Sequence, residues 1–181
     1  MTRLVRAKRF IAIPLSLCGI TLAIASDSPA YVNGEIPFGA IEDVKQQAEN
    51  WAVCAASYDI MSVIMAPEAP DRAMQLKNLG EGARVALGIS LVIKDLEPDI
   101  SQERFDLLWA SSEAAMMEWP QAKLDSILAD SEALGTQGAE AFGKKINATV
   151  VTCINNLKDQ RKHIDTWQEL AESGLLKLPG N

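Results

Sequence analysis

The stretch Val85-Ala86-Leu87-Gly88-Ile89-Ser90-Leu91-Val92-Ile93 decides how this chain is read. It is apolar apart from Gly88 and Ser90, and it is bounded by Arg84 and Lys94. Its β-branched residues suit a buried strand, and its all-round apolar character suits a buried central helix; periodicity alone does not separate the two. A strand here needs a partner, and the β-branched stretch 149–154 supplies one, giving an α+β alternative. A helix needs neighbours with apolar stripes, and the remaining sequence supplies several. We therefore read 85–93 as the second half of a central helix, with Gly88 letting a neighbouring helix come close. The run is too short to cross a bilayer.

Working outward, the spacing predicts a helix over about 38–66, with Val44, Trp51, Cys54, Tyr58, Met61 and Met65 on one stripe. Pro67 and Pro70 stop it, and Asp71 is placed to cap the next helix, over about 71–96, which Gly80 and Gly82 weaken. Pro98 interrupts the chain again. Asp99 or Ser101 then caps a third helix, about 102–119, with Phe105, Leu108, Trp109 and Met116 at helical spacing. Pro120 suits the first turn of a fourth, to about 134, and Gly135 and Gly138 form a hinge. A fifth helix, about 139–172, carries Phe142, Ile146, Val150, Cys153, Leu157, Ile164, Trp167 and Leu170 before a stop at Gly174. Five amphipathic segments with short connections predict an all-α protein, an antiparallel helical bundle. One domain spans 38–176, between a flexible leader at 26–37 and a flexible tail at 177–181. The chain's 181 residues suit one domain of ordinary size.

The N-terminus has a different composition. Arg3, Arg6, Lys8 and Arg9 precede an apolar run from Phe10 to Ala25 that ends in Ala23-Ile24-Ala25. A basic head, a short apolar middle and a small-residue exit predict a signal peptide at 1–25, with a second cutting point after Ala30. The rival is an uncleaved anchor, but the run falls short of the roughly 20 residues of a spanning helix and is interrupted by Pro14 and Gly19. Cys18 follows Leu17 rather than a small residue, which argues against lipidation. The expected location is therefore periplasmic or secreted. Loss of 1–25 removes four of 17 basic residues and none of the 24 acidic ones, taking the net charge from −7 to −11. Such an acidic domain repels nucleic acid and anionic membrane surfaces, so neither is an expected partner. Cys54 and Cys153 remain after cleavage. In an oxidising compartment they allow a single intramolecular pairing, and we expect the Cys54–Cys153 disulfide.

The catalytic inventory is thin. No G-x-S-x-G, S-x-x-K, H-E-x-x-H or C-x-x-C occurs in the mature chain, and the glycine pairs lack a phosphate-loop lysine. The lone histidine, His163, sits in Lys158-Asp159-Gln160-Arg161-Lys162-His163-Ile164-Asp165, which reads as the solvated face of the last helix. Asp159 and Trp167 share its side. Without a nucleophile nearby we expect a surface histidine whose replacement by alanine leaves the fold nearly intact. One histidine cannot make a His-rich metal site, and Met61 and Met65, though one turn apart, read as core filler rather than copper ligands. Residues 95–106 place oxygen ligands in calcium-loop order, but Ile100 replaces the turn glycine, Pro98 restricts the loop and Asp106 replaces the bidentate glutamate. No cofactor or metal is expected, and no catalytic residue is assigned. The reading that remains is an exported, non-enzymatic helical protein that binds a protein partner or a small apolar ligand. Trp51, Tyr58, Trp109, Trp119 and Trp167 are the anchor candidates, with core packing as their alternative role. The other readings are a carboxylate-based hydrolase, which needs two converging acids with one pKa raised, and a membrane-tethered envelope subunit.

Overall fold

A computed structural model describes residues 30–32, 34, 36–135 and 138–177. The expected signal peptide, Cys18, the first residues of the leader and residues 178–181 lie outside them. A 3-10 turn at Phe38–Ala40 leads into α1 (Val44–Met65), followed by α2 (Pro70–Val92), a second 3-10 turn (Ile93–Asp95), α3 (Gln102–Leu134), α4 (Ala139–Asn155) and α5 (Leu157–Glu172). No strand occurs among the described residues, so the chain is an all-α, five-helix bundle. The stretch 85–92 is helical, and its residues 86–90 are buried throughout.

The most enclosed element is α1, although its sequence predicts a single apolar stripe. Its middle, Trp51 to Tyr58, is buried on every face. The cause is the run Ala52-Val53-Cys54-Ala55-Ala56-Ser57, whose small side chains let neighbours close in from all sides. Asp43 caps it, accepting from the backbone N–H groups of Lys45 and Gln46. The α1–α2 hairpin turns at Pro67, and Pro70 enters the first turn of α2, where its missing N–H costs nothing.

Two boundaries differ from expectation. Pro120 does not start a helix; α3 runs through it for 33 residues. Pro120 is fully buried, on the same side as Ser112, Ala115, Lys123 and Ile127. Packing on the core therefore offsets the one hydrogen bond that proline removes. Conversely, the expected long helix 139–172 breaks at Asn156. That side chain is buried and turned inward: Oδ1 accepts the Phe38 N–H at 2.8 Å, and Nδ2 donates to the Thr152 carbonyl at 2.9 Å. An asparagine that bonds to backbone in this way competes with the helix, and here it ties the start of the domain to the α4–α5 corner. The helix count is as expected only because the expected break at Pro120 is absent and an unexpected one occurs at Asn156.

Two glycines in α2 are explained by close approach. A Cβ on Gly88 would collide with Met116 of α3 and come within 3.0 Å of the Ser112 hydroxyl, which donates to the Gly88 carbonyl at 2.9 Å. A Cβ on Gly82 would collide with the Gln160 amide of α5. Helix α3 thus packs close to the α2 backbone at Gly88, and α5 reaches it at Gly82 through the Gln160 side chain, which donates to the Leu79 carbonyl at 3.1 Å.

The core has two parts. The larger joins Trp51, Cys54 and Tyr58 of α1 with Ala83 and Leu87 of α2, Ile127 of α3 and Ile146 and Cys153 of α4. The smaller joins Ile89, Val92, Phe105, Leu170 and Leu176, with Trp109 and Trp167 packed beside them. Within the segment expected to lack order, Val32 is buried on the main core, and Tyr31 donates to Asp130 at 2.6 Å. Lys145 also reaches Asp130 at 2.8 Å, so the leader, the end of α3 and α4 meet at one carboxylate.

Candidate functional site

Cys54 and Cys153 form a disulfide, with their Cα atoms 5.6 Å apart. It joins α1 to α4 rather than to the last helix, because α5 is a separate element. Both sulfurs are fully buried, so neither is a thiol nucleophile.

His163 is not on a solvated face. It is 8% exposed, edge-on to the Trp51 ring at 6.1 Å between centroids, with Nε2 3.5 Å from the Ser90 hydroxyl. Ser90 already donates to the Ala86 carbonyl at 2.7 Å, so the contact needs a proton on Nε2. Nδ1 has no partner among the described residues. Five charged or polar neighbours suggested solvent, yet Gln160, His163 and Leu170 form the buried side of α5. The reason is register: positions 160, 163, 167 and 170 share one helical face, and that face lies on α2. The expected surface position of His163 is therefore corrected, and with it the ground for expecting alanine here to leave the fold nearly intact.

Burial pushes the His163 pKa below its ordinary value; Asp159 opposes this and Lys162 adds to it. The unfolded chain then takes up the proton more readily, so the stabilisation by neutral His163 is complete above about pH 6.5 and is lost as pH falls below it. Each tenfold difference in proton affinity is worth about 1.4 kcal/mol. Melting temperature should fall between pH 7 and pH 5, and His163→Gln should flatten that slope. An equal slope in both proteins would assign the acid sensitivity to other groups. The depressed carboxyls act at lower pH. Asp159 is held down mainly by Lys162, and Asp130 by Lys145 and then Tyr31. Both shifts are opposite to what a general acid requires.

The other sequence candidates separate by position. Trp51 and Tyr58 are core residues, and burial raises the Tyr58 pKa. Trp109, Trp119 and Trp167 are half-buried, and Trp109 stacks on Phe105 at 6.1 Å. In the acidic corner Ser101 caps α3, Glu97 pairs with Arg104 at 3.5 Å and Asp106 pairs with Lys177 at 3.4 Å. These groups serve the corner itself. Met61 packs on the main core. Among the described residues no group of three or more His, Cys, Asp or Glu is placed to hold a metal.

Lys123, which the sequence reading passed over, is 5% exposed. Burial lowers its pKa, with Glu49 opposing and Lys45 reinforcing the shift. Its position at i+3 from Pro120 on the inward face is the signal that shows it.

Two grooves lie on the surface of the described residues. One, of about 470 Å³, lies at the α1–α2 end beside Val63 and Met74. The other, of about 430 Å³, lies between α2 and α3, walled by Leu91, Val92, Leu108, Ala115 and Trp119 with Glu118 at its edge. Of the anchor candidates, Trp119 alone lines either groove. No protein-family model, no curated protein and no solved structure matches this chain. Function is therefore argued from the site's own chemistry.

Proposed function

We propose that this chain is an exported protein of the periplasm or the extracellular space that works by binding a protein partner through the α2–α3 groove. The observation that carries the reading is the outward side of α3 beside that groove, where Leu107 is 71% exposed and Met117 is 68% exposed. Exposed Ala110 and Ala114 join Leu107 and Met117 into one apolar strip along the groove's edge, and a contiguous exposed apolar strip marks an interaction surface where single exposed residues do not. Export is supported by the basic and apolar N-terminal pattern and by the disulfide, a bond that persists in oxidising compartments. No described helix is long and apolar enough to cross a membrane.

A photo-crosslinking residue in place of Ala114, exposed on the same side of α3, tests the reading in cells that make the protein. We expect a discrete adduct of higher mass from position 114 and none from position 140, an exposed site on α4. No adduct at 114, or equal adducts at both positions, would reject the groove as a binding site.

A further inference from the structure

We infer that the α2–α3 groove and the outer side of α3 take an amphipathic helix with basic flanks from another protein. The inference rests on the binding reading above and adds the chemistry of the partner.

The shape comes first. Leu107, Ala110, Ala114, Met117 and Gln121 are all exposed and recur at alternating steps of three and four residues. That is the spacing of a seam on which a second helix lies lengthwise. The alanines between Leu107 and Met117 leave room for a close backbone, and these two, the seam's large apolar residues, stand about 15 Å apart along α3, at 1.5 Å per residue. A compact small molecule does not cover that length. The groove beside the seam offers apolar walls in Leu91, Leu108 and Trp119 for the side chains of such a helix.

Charge selects the partner. Glu113, Glu118 and Asp125 are exposed along the same stretch, and none is in an ion pair among the described residues. Some carboxylates elsewhere are matched, Glu140 by Lys144 and Asp159 by Lys162, and Asp130 near the end of α3 is matched by Lys145, while exposed Glu68 and Glu172 are, like these three, in no ion pair among the described residues. From Phe105 to Leu134 the sequence contains one basic residue, Lys123, and it is buried. A second copy of this chain would bring the same carboxylates against these, and like charges facing each other oppose docking. A helix with lysine or arginine beside its apolar stripe would supply the missing counter-charges and cover Leu107 and Met117 at once.

The test is calorimetric titration of the oxidised, exported protein with three synthetic 18-residue peptides. One is an amphipathic leucine–lysine helix, one carries glutamate in place of lysine, and one is the lysine peptide with its order shuffled. The lysine helix should bind at least tenfold more tightly than either control. Leu107→Ser with Met117→Ser should weaken it at least tenfold, and Glu113→Gln with Glu118→Gln should weaken it and reduce its salt dependence. Glu68→Gln with Glu172→Gln removes the same charge from exposed sites elsewhere and should leave binding unchanged. Equal binding of the shuffled peptide, or equal loss in the Glu68 and Glu172 variant, would reduce the effect to bulk charge and overturn the inference. Absence of binding by all three peptides would overturn it too. Tighter binding of the glutamate helix, lost in the Leu107 and Met117 variant, would overturn the basic partner and leave the groove's binding role standing. An adduct at position 114 judges that role separately.

Discussion

Replacing Cys54 and Cys153 together by alanine should cost about 2–5 kcal/mol of stability. The two residues are 99 apart in sequence, so the bridge closes a long loop in the unfolded chain. For a loop of about 100 residues the chain-entropy account gives about 4.7 kcal/mol, and strain in the folded state lowers that figure where it is present. The bridge also has a local role. It fastens α4 to α1, the most enclosed helix, while α4 itself ends at the Asn156 corner and starts after the Gly135–Gly138 turn. Without it, α4 keeps Ile146 and Val150 on the core and loses its only covalent tie. Denaturant unfolding of the oxidised protein and of the double-alanine variant measures the difference. A loss below 1 kcal/mol would mean that packing alone holds α4. Reduction of the unmodified protein should cost no more than the double substitution, since it removes the cross-link and leaves both sulfurs in the core as thiols.

Trp51→Ala should destabilise the fold by about 3–5 kcal/mol, the range for truncating a buried aromatic. Trp51 is fully buried and contacts three separate parts of the molecule. Phe38 of the N-terminal 3-10 turn meets its ring edge-on at 4.8 Å, His163 of α5 lies edge-on at 6.1 Å, and its own helix holds it in the main core. Its loss would open a cavity where these parts join, and neither Phe38 nor His163 can move in without abandoning its own contacts. The indole N–H has no hydrogen-bond partner among the described residues. Trp51→Phe, which keeps an aromatic ring and removes only that unpaired group and part of the volume, should therefore cost less than half as much. Thermal unfolding of the three proteins checks the order. Equal losses for phenylalanine and alanine would show that the indole N–H carries an interaction the geometry does not reveal.

The all-helical class was legible because the cues for it are local. Apolar residues recur at helical spacing from 44 to 65 and again from 139 to 170, and proline and glycine punctuate the gaps. The bridge was legible by chemistry: with Cys18 expected to leave with a signal peptide, Cys54 and Cys153 have only each other to pair with. The groove was not. The stripe Phe105, Leu108, Trp109 and Met116 sets Leu107 and Met117 off the core side of α3, but nothing in the sequence says which helix α3 meets or how closely. Gly88 and Ser112 settle that, because they bring α3 close against α2.

Residue type and spacing by themselves determined the helical class, the positions of most helix ends, the acidity of the domain and the pairing of Cys54 with Cys153. Tertiary packing decided what depends on more than one helix at a time. Pro120 stays within α3 because a buried face holds it there, whereas its local preference is to begin a helix. Asn156 breaks the last long segment because the Phe38 backbone, 118 residues away, offers it a hydrogen bond. His163 is buried among charged neighbours because its helical register, not the polarity of the residues beside it, turns it onto Trp51 and Ser90. In each case a local preference of about a few kcal/mol is outweighed by burial or by a hydrogen bond that exists only once the distant partner is in place.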